Sequence, residues 1–255
     1  MKDLSHKSFQ TRAVHAGERV PPADYRPVST PIWPTVGYLY ESMDDLDAVF
    51  AGTKQGQVYL RYSNPTVEAF EIAVADLEMA EAAQAYGSGM AAIHASLLAA
   101  GVKAGTSVVA ALDVYGATFS LLRSLFKSLD VNIHMVNVTD HAEVETALKE
   151  TGAVVLFVES ISNPLLKIAD IPTLAGLAHR HGASLLVDNT FASPYLVNPF
   201  KYGTDFIIHS ATKYLSGHGD VLAGVVAASK GNKSKLFELN KLVGGVLGPF
   251  EAWLA

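Results

Sequence analysis

Short apolar runs that alternate with helical patterns constrain the fold of this chain more than any other feature. Helical periodicity occupies most of the stretches between these runs, near 89–100, 117–129, 140–150 and 171–181. Strands that are apolar throughout need cover on both faces, which is typical of parallel sheets joined by crossover helices. We therefore predict an α/β fold with three layers, α/β/α, around a mainly parallel sheet. The six predicted strands are 107–112, 132–138, 153–159, 184–188, 205–209 and 223–228.

The first 62 residues differ in character from the rest of the chain. Proline fixes φ and removes a backbone donor, so a proline-rich stretch favours an extended chain. We predict an extended N-terminal arm over 1–62 and a folded domain over 63–255. Five of the eleven prolines fall in the predicted arm, at positions 21, 22, 27, 31 and 34.

A helix start follows the arm directly. Asn64 has the character of an N-cap, and Pro65 suits the first helical position. The helical spacing of the next apolar residues predicts one buried face. That face would contain Val67, Phe70, Val74 and Leu77.

Composition excludes several classes of function. The chain of 255 residues is 49% hydrophobic with a net charge of -6, which argues against disorder and against a general nucleic-acid surface. It has no cysteine, so disulfides and thiolate chemistry are absent. No apolar run reaches the ~18 residues of a membrane span, and the first twenty residues lack a secretory apolar region. We predict a cytoplasmic protein without membrane partners.

Chemistry in parallel sheets lies just past the carboxyl ends of the strands. The segment 87–92 (GSGMAA) opens an apolar helix, and glycines before a helix N-terminus suit a phosphate. Its spacing also fits a dinucleotide fingerprint, with Asp113 in the place of a ribose-binding acid. A nicotinamide-dependent dehydrogenase is therefore an alternative, and a tight turn without a ligand is another.

Three further strand ends carry polar or aromatic groups. Asp188 ends the predicted strand 184–188, where a carboxylate is costly to bury without a partner. The next strand runs into Ser210 and Thr212, which precede Lys213, and an amine in such a setting can become a Schiff-base nucleophile. Tyr115 follows an earlier strand, where it either stacks on a flat ring or simply packs. Taken singly, each of these residues also has an ordinary structural explanation.

Together these groups describe one ligand. A phosphate site, an aromatic face, an aldehyde-binding lysine and a carboxylate for a ring nitrogen are what pyridoxal phosphate requires. The histidines at 179 and 181, and at 209 and 218, lack a third ligand nearby in the sequence. We therefore predict a pyridoxal phosphate site and no metal site.

Several segments resemble the Cys/Met-metabolism family of pyridoxal-phosphate enzymes, which includes cystathionine γ-synthase, cystathionine γ-lyase, methionine γ-lyase and the homoserine-ester sulfhydrylases. The resemblance implies a large domain of the fold type I pyridoxal-phosphate class. The lysine segment and the segment before Thr66 are highly specific. The matching segments are 11–17 (TRAVHAG), 59–66 (YLRYSNPT), 87–91 (GSGMA), 187–190 (VDNT) and 210–217 (SATKYLSG).

The resemblance implies roles for individual residues around the ring. Lys213 would bind the cofactor's aldehyde and move the substrate's protons. Asp188 would pair with the pyridinium nitrogen, and Tyr115 would stack on the ring and assist the leaving group. Asn163 would lie beside the ring's phenolic oxygen and the substrate carboxylate.

The resemblance also implies how the phosphate is held and how subunits assemble. The amides of Gly89 and Met90, with the hydroxyls of Ser210 and Thr212, would bind the phosphate. Tyr59 and Arg61 would reach the phosphate of a neighbouring subunit, so we expect a homo-oligomer, as a dimer of dimers. The family's C-terminal domain would begin beyond Ala255, with the arginine for the substrate carboxylate, and we expect it to be absent from this chain.

The expected activity is β- or γ-elimination or γ-replacement on a small sulfur-containing amino acid. Cystathionine γ-lyase or γ-synthase fits best. Methionine γ-lyase and O-acetylhomoserine sulfhydrylase are alternatives, the former disfavoured because Ala117 stands where methionine γ-lyases usually carry cysteine. A non-catalytic fragment is a further alternative.

Overall fold

The computed structural model describes residues 27–255, together with Ser8 and Thr11. Contacts divide the chain into two units, Met1–Pro31 and Ile32–Ala255. The first unit is described only at Ser8, Thr11 and 27–31, so the segment 12–17 (RAVHAG) lies outside the described residues. All the elements named below belong to the second unit.

Helices and strands alternate through most of the second unit. The strands are β1 Ala82–Tyr86, β2 Ser107–Ala111, β3 Asn132–Val136, β4 Val155–Glu159, β5 Ser184–Asp188, β6 Phe206–His209 and β7 Gly224–Ala228. The helices are α1 Met43–Phe50, α2 Pro65–Glu78, α3 Gly89–Ala99, α4 Gly116–Ser120 (continued by a π-helical turn, Leu121–Phe126), α5 His141–Thr151, α6 Ile171–Arg180, α7 Ser193–Leu196, α8 Lys230–Val243 and α9 Pro249–Leu254. A short 3-10 helix covers Pro199–Tyr202.

The strands form one seven-stranded sheet in the order β1-β7-β6-β5-β4-β2-β3. Neighbours from β3 to β6 run parallel, whereas β7 runs antiparallel to both β6 and β1. Since two reversals cancel, β1 points the same way as β6. The carboxyl ends of β1, β2, β4, β5 and β6 therefore meet at one edge of the sheet. This confirms the predicted α/β class with a mainly parallel sheet.

Apolar side chains are buried on both faces of the sheet. Along β6, Phe206 and Ile208 belong to one apolar cluster and Ile207 to another, as expected for alternate residues of a strand covered on each side. The second cluster also includes side chains from α2 and α9. Helices on the two faces of a central sheet make the predicted three layers.

The predicted start of α2 is confirmed, with one error in its buried face. Asn64 caps the helix by accepting a hydrogen bond from Thr66 N at 2.9 Å. Val67, Phe70 and Val74 are buried, but Leu77 is 55% exposed. The prediction for Leu77 was wrong because, in the last turn of the helix, the neighbouring Glu78 takes the buried position and bonds to His209 of β6.

Several elements were not predicted, namely β1, α1, α7, α8, α9 and the 3-10 helix Pro199–Tyr202. Strand β1 has the sequence AAQAY, which lacks the β-branched residues that mark a strand. Its Gln84 is buried because Nε2 donates to Glu71 Oε1 at 2.9 Å. Helix α1 lies within the predicted extended arm, and it begins at a Ser42 cap that accepts from Asp44 N at 3.1 Å.

Candidate active site

A glycine-rich turn between β1 and α3 lies directly against the end of β6. Ser88 caps α3, and its Oγ accepts from Ala91 N at 3.1 Å. Helical geometry leaves the amides of Gly89 and Met90 without intrahelical acceptors. A Cβ on Gly89 would lie 2.8 Å from Ser210 Cβ, so only glycine permits this approach. The amides of Gly89 and Met90 thus lie next to Ser210, at a place where an anion can bind.

Strand β7 supports the turn from behind. A Cβ on Gly224, the first residue of that strand, would collide with the carbonyl oxygen of Ser88. Gly224 also pairs with Tyr86, the last residue of β1. The position of the glycine-rich turn therefore depends on a reversed strand that comes about 135 residues later in the chain.

The Thr212 hydroxyl is already hydrogen bonded on both sides. It donates to Ala223 O at 3.2 Å and accepts from Ala223 N at 2.9 Å. A phosphate accepts hydrogen bonds, so Thr212 would have to release Ala223 O to donate to it. Of the two predicted hydroxyls, that of Ser210 is better placed for the phosphate.

Asp188 is connected to the lysine segment through one side chain. Its Oδ1 accepts from Thr190 Oγ1 at 2.5 Å and from Thr190 N at 3.0 Å. Thr190 Oγ1 in turn accepts from Ser210 N at 2.9 Å. Burial raises the pKa of Asp188, and the two hydrogen bonds from Thr190 oppose that rise. A protonated ring nitrogen beside Asp188 would stabilise its charged form.

Glu159 brings together two predicted site residues. Its Oε1 accepts from Tyr115 N at 2.5 Å, and its Oε2 accepts from Asn163 N at 3.0 Å. Glu159 is the last residue of β4, and in the strand register it lies opposite Asp188, the last residue of β5. Burial is the main cause that raises the pKa of Glu159 to about 7.

Lys213 lies in the first turn after β6. Its amide donates to Ser210 O at 3.1 Å, and its carbonyl accepts from Gly217 N at 2.9 Å. The Lys213 side chain is exposed at the same sheet edge, as is Tyr115. The turn is compatible with an amine that has to reach a ligand bound outside the sheet.

Tyr59 and Arg61 lie next to each other, with Arg61 at the end of α8. The Arg61 guanidinium lies 5.5 Å from the Tyr59 ring centroid and 5.2 Å from that of Tyr62. Its Nη1 donates to the carbonyl oxygen of Lys241 near the end of α8. Within one chain, Arg61 contacts the end of α8, where a Cβ on Gly244 would lie 3.6 Å from Arg61 Cδ. The next residue, Gly245, accepts a hydrogen bond from Gly87 N at 2.9 Å.

A buried polar network supports the strand ends from the α2 side. Glu78 Oε1 lies 2.5 Å from His209 Nε2 and accepts from Asn189 Nδ2 at 2.8 Å. All three side chains are at most 1% exposed. Because Asn189 follows Asp188 and His209 precedes Ser210, the network fixes both segments to α2.

Sequence reasoning gave no role to Thr190, Glu159 or Glu78. Thr190 was visible as a hydroxyl two residues after a strand-ending acid, a spacing at which side chain and backbone amide bond to that acid. Glu159 was visible as an acid closing an apolar strand. Nothing near Glu78 in the sequence indicates its partners, which lie 111 and 131 residues away.

The dehydrogenase alternative is wrong. A dinucleotide fingerprint needs its acid at the end of the neighbouring parallel strand. Here β1 is an edge strand whose neighbour is the antiparallel β7, and β2 lies four strands beyond β7. Asp113 instead pairs with Lys167 at 3.2 Å.

Two further findings concern the described residues, 27–255 with Ser8 and Thr11. No group of three or more potential ligands there is suited to hold a metal ion. Within the same residues, no helix has both the length and the apolar character to cross a membrane.

The α/β fold is that of a large domain with a crowded Gly89–Ser210 approach at one edge of its sheet, beside the Asp188 carboxylate, whose pKa burial raises. A family model described as Cys/Met metabolism PLP-dependent enzyme matches residues 10–255. The chain belongs to this family, as the resemblance implied, and the family's cofactor is pyridoxal phosphate.

Relatives within the family have different activities. O-succinylhomoserine sulfhydrylase of Pseudomonas aeruginosa is 40% identical over 99% of this chain and 62% of its own length. L-methionine gamma-lyase of Pseudomonas putida is 38% identical over 96% of this chain and 62% of its length. The crystal structure of cystathionine gamma-lyase from Lactobacillus plantarum, complexed with L-serine, superposes with a TM-score of 0.81 at 35% identity, covering 88% of this chain and 56% of that one. The chain thus spans less than two thirds of these proteins.

Proposed function

We propose that the protein containing this chain uses pyridoxal phosphate to eliminate or replace a substituent at the β or γ carbon of a sulfur-containing amino acid. The observation that carries the proposal is the hydrogen-bonded path from Asp188 through Thr190 to Ser210. The path links Asp188, which would pair with the ring nitrogen, to the segment after β6. That segment carries the Ser210 hydroxyl, which would bind the phosphate, and the amine of Lys213. Family membership supplies the class of substrate.

Each residue of the site then has a defined task. Pyridoxal phosphate, when bound, supplies an electron sink for negative charge at the substrate's α-carbon. Asp188 keeps the ring nitrogen protonated, and Thr190 orients the Asp188 carboxylate. The amides of Gly89 and Met90 donate to the phosphate, as does the Ser210 hydroxyl.

Proton transfers fall to two side chains at the sheet edge. Lys213 Nζ takes the proton from the substrate's α-carbon and returns a proton later in the cycle. The Tyr115 hydroxyl donates to the leaving sulfur or oxygen, and its ring covers one face of the cofactor. Asn163 orients the ring's phenolic oxygen and the substrate carboxylate.

Among the possible reactions, we favour elimination or replacement of the kind catalysed by cystathionine γ-lyase or γ-synthase. The relatives include both a sulfhydrylase and methionine gamma-lyases, so the choice depends on the site. Ala117 stands two residues after Tyr115, where methionine γ-lyases usually carry cysteine. This departure disfavours methionine as the substrate.

The substrate experiment uses the full-length protein. L-cystathionine is incubated with the holoenzyme, and 2-oxobutanoate, pyruvate, cysteine and ammonia are measured. Cleavage at the γ carbon gives 2-oxobutanoate with cysteine and ammonia, whereas cleavage at the β carbon gives pyruvate. O-succinyl-L-homoserine with hydrosulfide tests replacement, through release of succinate and homocysteine. Turnover of methionine in preference to these substrates would contradict the assignment.

The cofactor experiment precedes it. Visible absorption is recorded before and after borohydride reduction for the wild type, Lys213→Ala and Lys235→Ala. Lys235 is an exposed lysine on α8 whose Nζ lies 3.2 Å from Asn232 Oδ1, which makes it a matched control. We expect the wild type and Lys235→Ala to be yellow and to retain the cofactor covalently after reduction. Lys213→Ala should show neither the yellow band nor covalent retention. A wild type that binds no pyridoxal phosphate would support the non-catalytic alternative.

We also propose that the protein assembles as a dimer of dimers in the cytoplasm. In such an assembly, Arg61 of one subunit would leave the Lys241 carbonyl and reach the phosphate of its neighbour, with Tyr59 beside it. In the described chain the Arg61 guanidinium contacts the Lys241 carbonyl and the Tyr59 ring, and on assembly it would exchange the carbonyl for the neighbour's phosphate. Sedimentation analysis of the full-length protein tests the stoichiometry, and a monomer would contradict it.

A further inference from the structure

Glu159 connects the two loops that carry Tyr115 and Asn163. One loop follows β2, and the other follows β4. Each carboxylate oxygen accepts one backbone amide, Oε1 from Tyr115 at 2.5 Å and Oε2 from Asn163 at 3.0 Å. The side chain is buried, with only 7% of the residue exposed. A single rigid acceptor therefore sets the distance between two residues that face the cofactor in the proposed function.

The double acceptance depends on the charge of Glu159. An ionised carboxylate accepts at both oxygens, whereas a protonated carboxyl has a hydroxyl that donates. Burial and the nearby charges of Asp188 and Asp113 disfavour ionisation, while the two amides favour it. Asp113 is itself paired with Lys167 at 3.2 Å, which reduces its effect. The amide bonds thus stabilise a charge that its surroundings otherwise oppose.

Glu71 provides a comparison within the same chain. It is also a buried carboxylate, and its Oε1 accepts from Ala85 N at 2.8 Å and from Gln84 Nε2 at 2.9 Å. Both of these partners belong to β1, so Glu71 fixes a strand and no loop of the site. Comparing Glu159 with Glu71 therefore distinguishes a carboxylate that positions loops of the site from one that supports a strand.

We propose that Glu159 is a positioning residue, whose ionised side chain holds the Tyr115 and Asn163 backbones in the geometry that the cofactor ring requires. Loss of either amide bond would let the Tyr115 loop and the Asn163 loop move apart. The cofactor would then bind less tightly and in a less defined orientation. This inference rests on the proposed binding of pyridoxal phosphate at this edge.

The test uses the full-length protein with Glu159→Gln and Glu71→Gln at pH 8. Glutamine has nearly the same shape as glutamate, but its amide nitrogen is a donor that faces one of the two N–H groups. We expect Glu159→Gln to raise the dissociation constant of pyridoxal phosphate at least about tenfold and to weaken the visible circular dichroism of the bound cofactor. Glu71→Gln keeps a side-chain oxygen that accepts from both partners, and it removes a charge that burial disfavours, so it should not lower the thermal midpoint. Both cofactor signals should stay at wild-type values.

The outcomes distinguish this inference from the proposed function. If the wild type binds no pyridoxal phosphate, the proposed function fails and this inference fails with it. If the wild type binds and Glu159→Gln loses only stability, with both cofactor signals unchanged, the positioning role is overturned and the function stands. If Glu159→Gln fails to fold, hydrogen exchange of the Tyr115 and Asn163 amides is measured in the wild type instead. Protected amides at Tyr115 and Asn163 are then expected, and exchange at open-loop rates would overturn the inference.

Discussion

Gly89 packs against Ser210 so closely that a Cβ on Gly89 would lie 2.8 Å from Ser210 Cβ and 2.9 Å from Ser210 Cα. The two residues are separated by most of the domain in sequence. They meet because β7 lies between β1 and β6, and its first residue, Gly224, leaves room for the turn at Ser88. The predicted phosphate site is therefore a contact between the residues that follow β1 and those that follow β6.

Substitution of Gly89 tests this contact. Gly89→Ala places a methyl group against Ser210 backbone and Cβ atoms, which cannot move away as the end of a flexible side chain can. We expect the dissociation constant of pyridoxal phosphate to rise at least about tenfold, or about 1.4 kcal/mol, as measured by titration of the apoprotein. The control is Gly176→Ala in α6, where a Cβ meets no atom within 4 Å. That variant should gain about 0.5–1 kcal/mol of stability, and wild-type affinity in Gly89→Ala would contradict the expectation.

The buried network around Glu78 should be essential for stability. Glu78→Ala removes the carboxylate partner of His209 Nε2 and one of the two acceptors of Asn189 Nδ2, which keeps the Val197 carbonyl oxygen. We expect the free energy of unfolding to fall by about 3 kcal/mol, as measured by urea denaturation. Glu145→Ala is the control, because Glu145 pairs with Arg180 at 3.4 Å on the surface and should contribute less than about 1 kcal/mol. Equal losses in the two variants would mean that the network contributes no more than a surface pair.

The stability of the apoprotein should depend on pH through Glu71. Burial is the main cause that raises the pKa of Glu71 from 4.5 to about 7, against the opposing charge of Lys233. Between these two values the native state binds more protons than the unfolded state, so stability falls as the pH rises. The shift corresponds to about 3 kcal/mol for this group.

Urea denaturation between pH 5 and pH 8 measures this dependence. Glu71→Gln should remove the share due to Glu71 and leave the share due to Glu159, whose pKa is also raised to about 7. A slope for Glu71→Gln equal to that of the wild type would show that Glu71 does not titrate in this range.

Hybrid oligomers test whether Arg61 acts across subunits. Arg61→Ala and Lys213→Ala subunits are each expected to be inactive alone. If Arg61 completes the neighbour's site, a mixed dimer contains one site with both residues, and random mixing restores about a quarter of wild-type activity. Co-expression of the two variants followed by activity assay measures this. No recovery in dimers shown to be mixed would indicate that Arg61 acts in its own chain, where it now donates to the Lys241 carbonyl.

The sequence by itself determined the class of fold and most of the strand ends. Continuous apolar strands are local patterns, and a buried sheet is the physical solution that covers them on both faces. For this reason the acid that ends β5 and the lysine that follows β6 could both be assigned to strand ends, and they lie at one edge of the sheet. Strand β1 was missed because alanine and glutamine carry little local strand preference, and its burial depends on Glu71.

Only the tertiary structure decided which of these residues meet. The order of strands in the sheet brings Gly89 to Ser210, and the hydrogen-bond partners of Glu159 and Glu78 come from distant segments. Buried polar groups need partners, but a local sequence pattern does not specify where in the chain a partner lies. The sequence therefore determined what each strand end carries, and the packing of the sheet decided how those groups form one site.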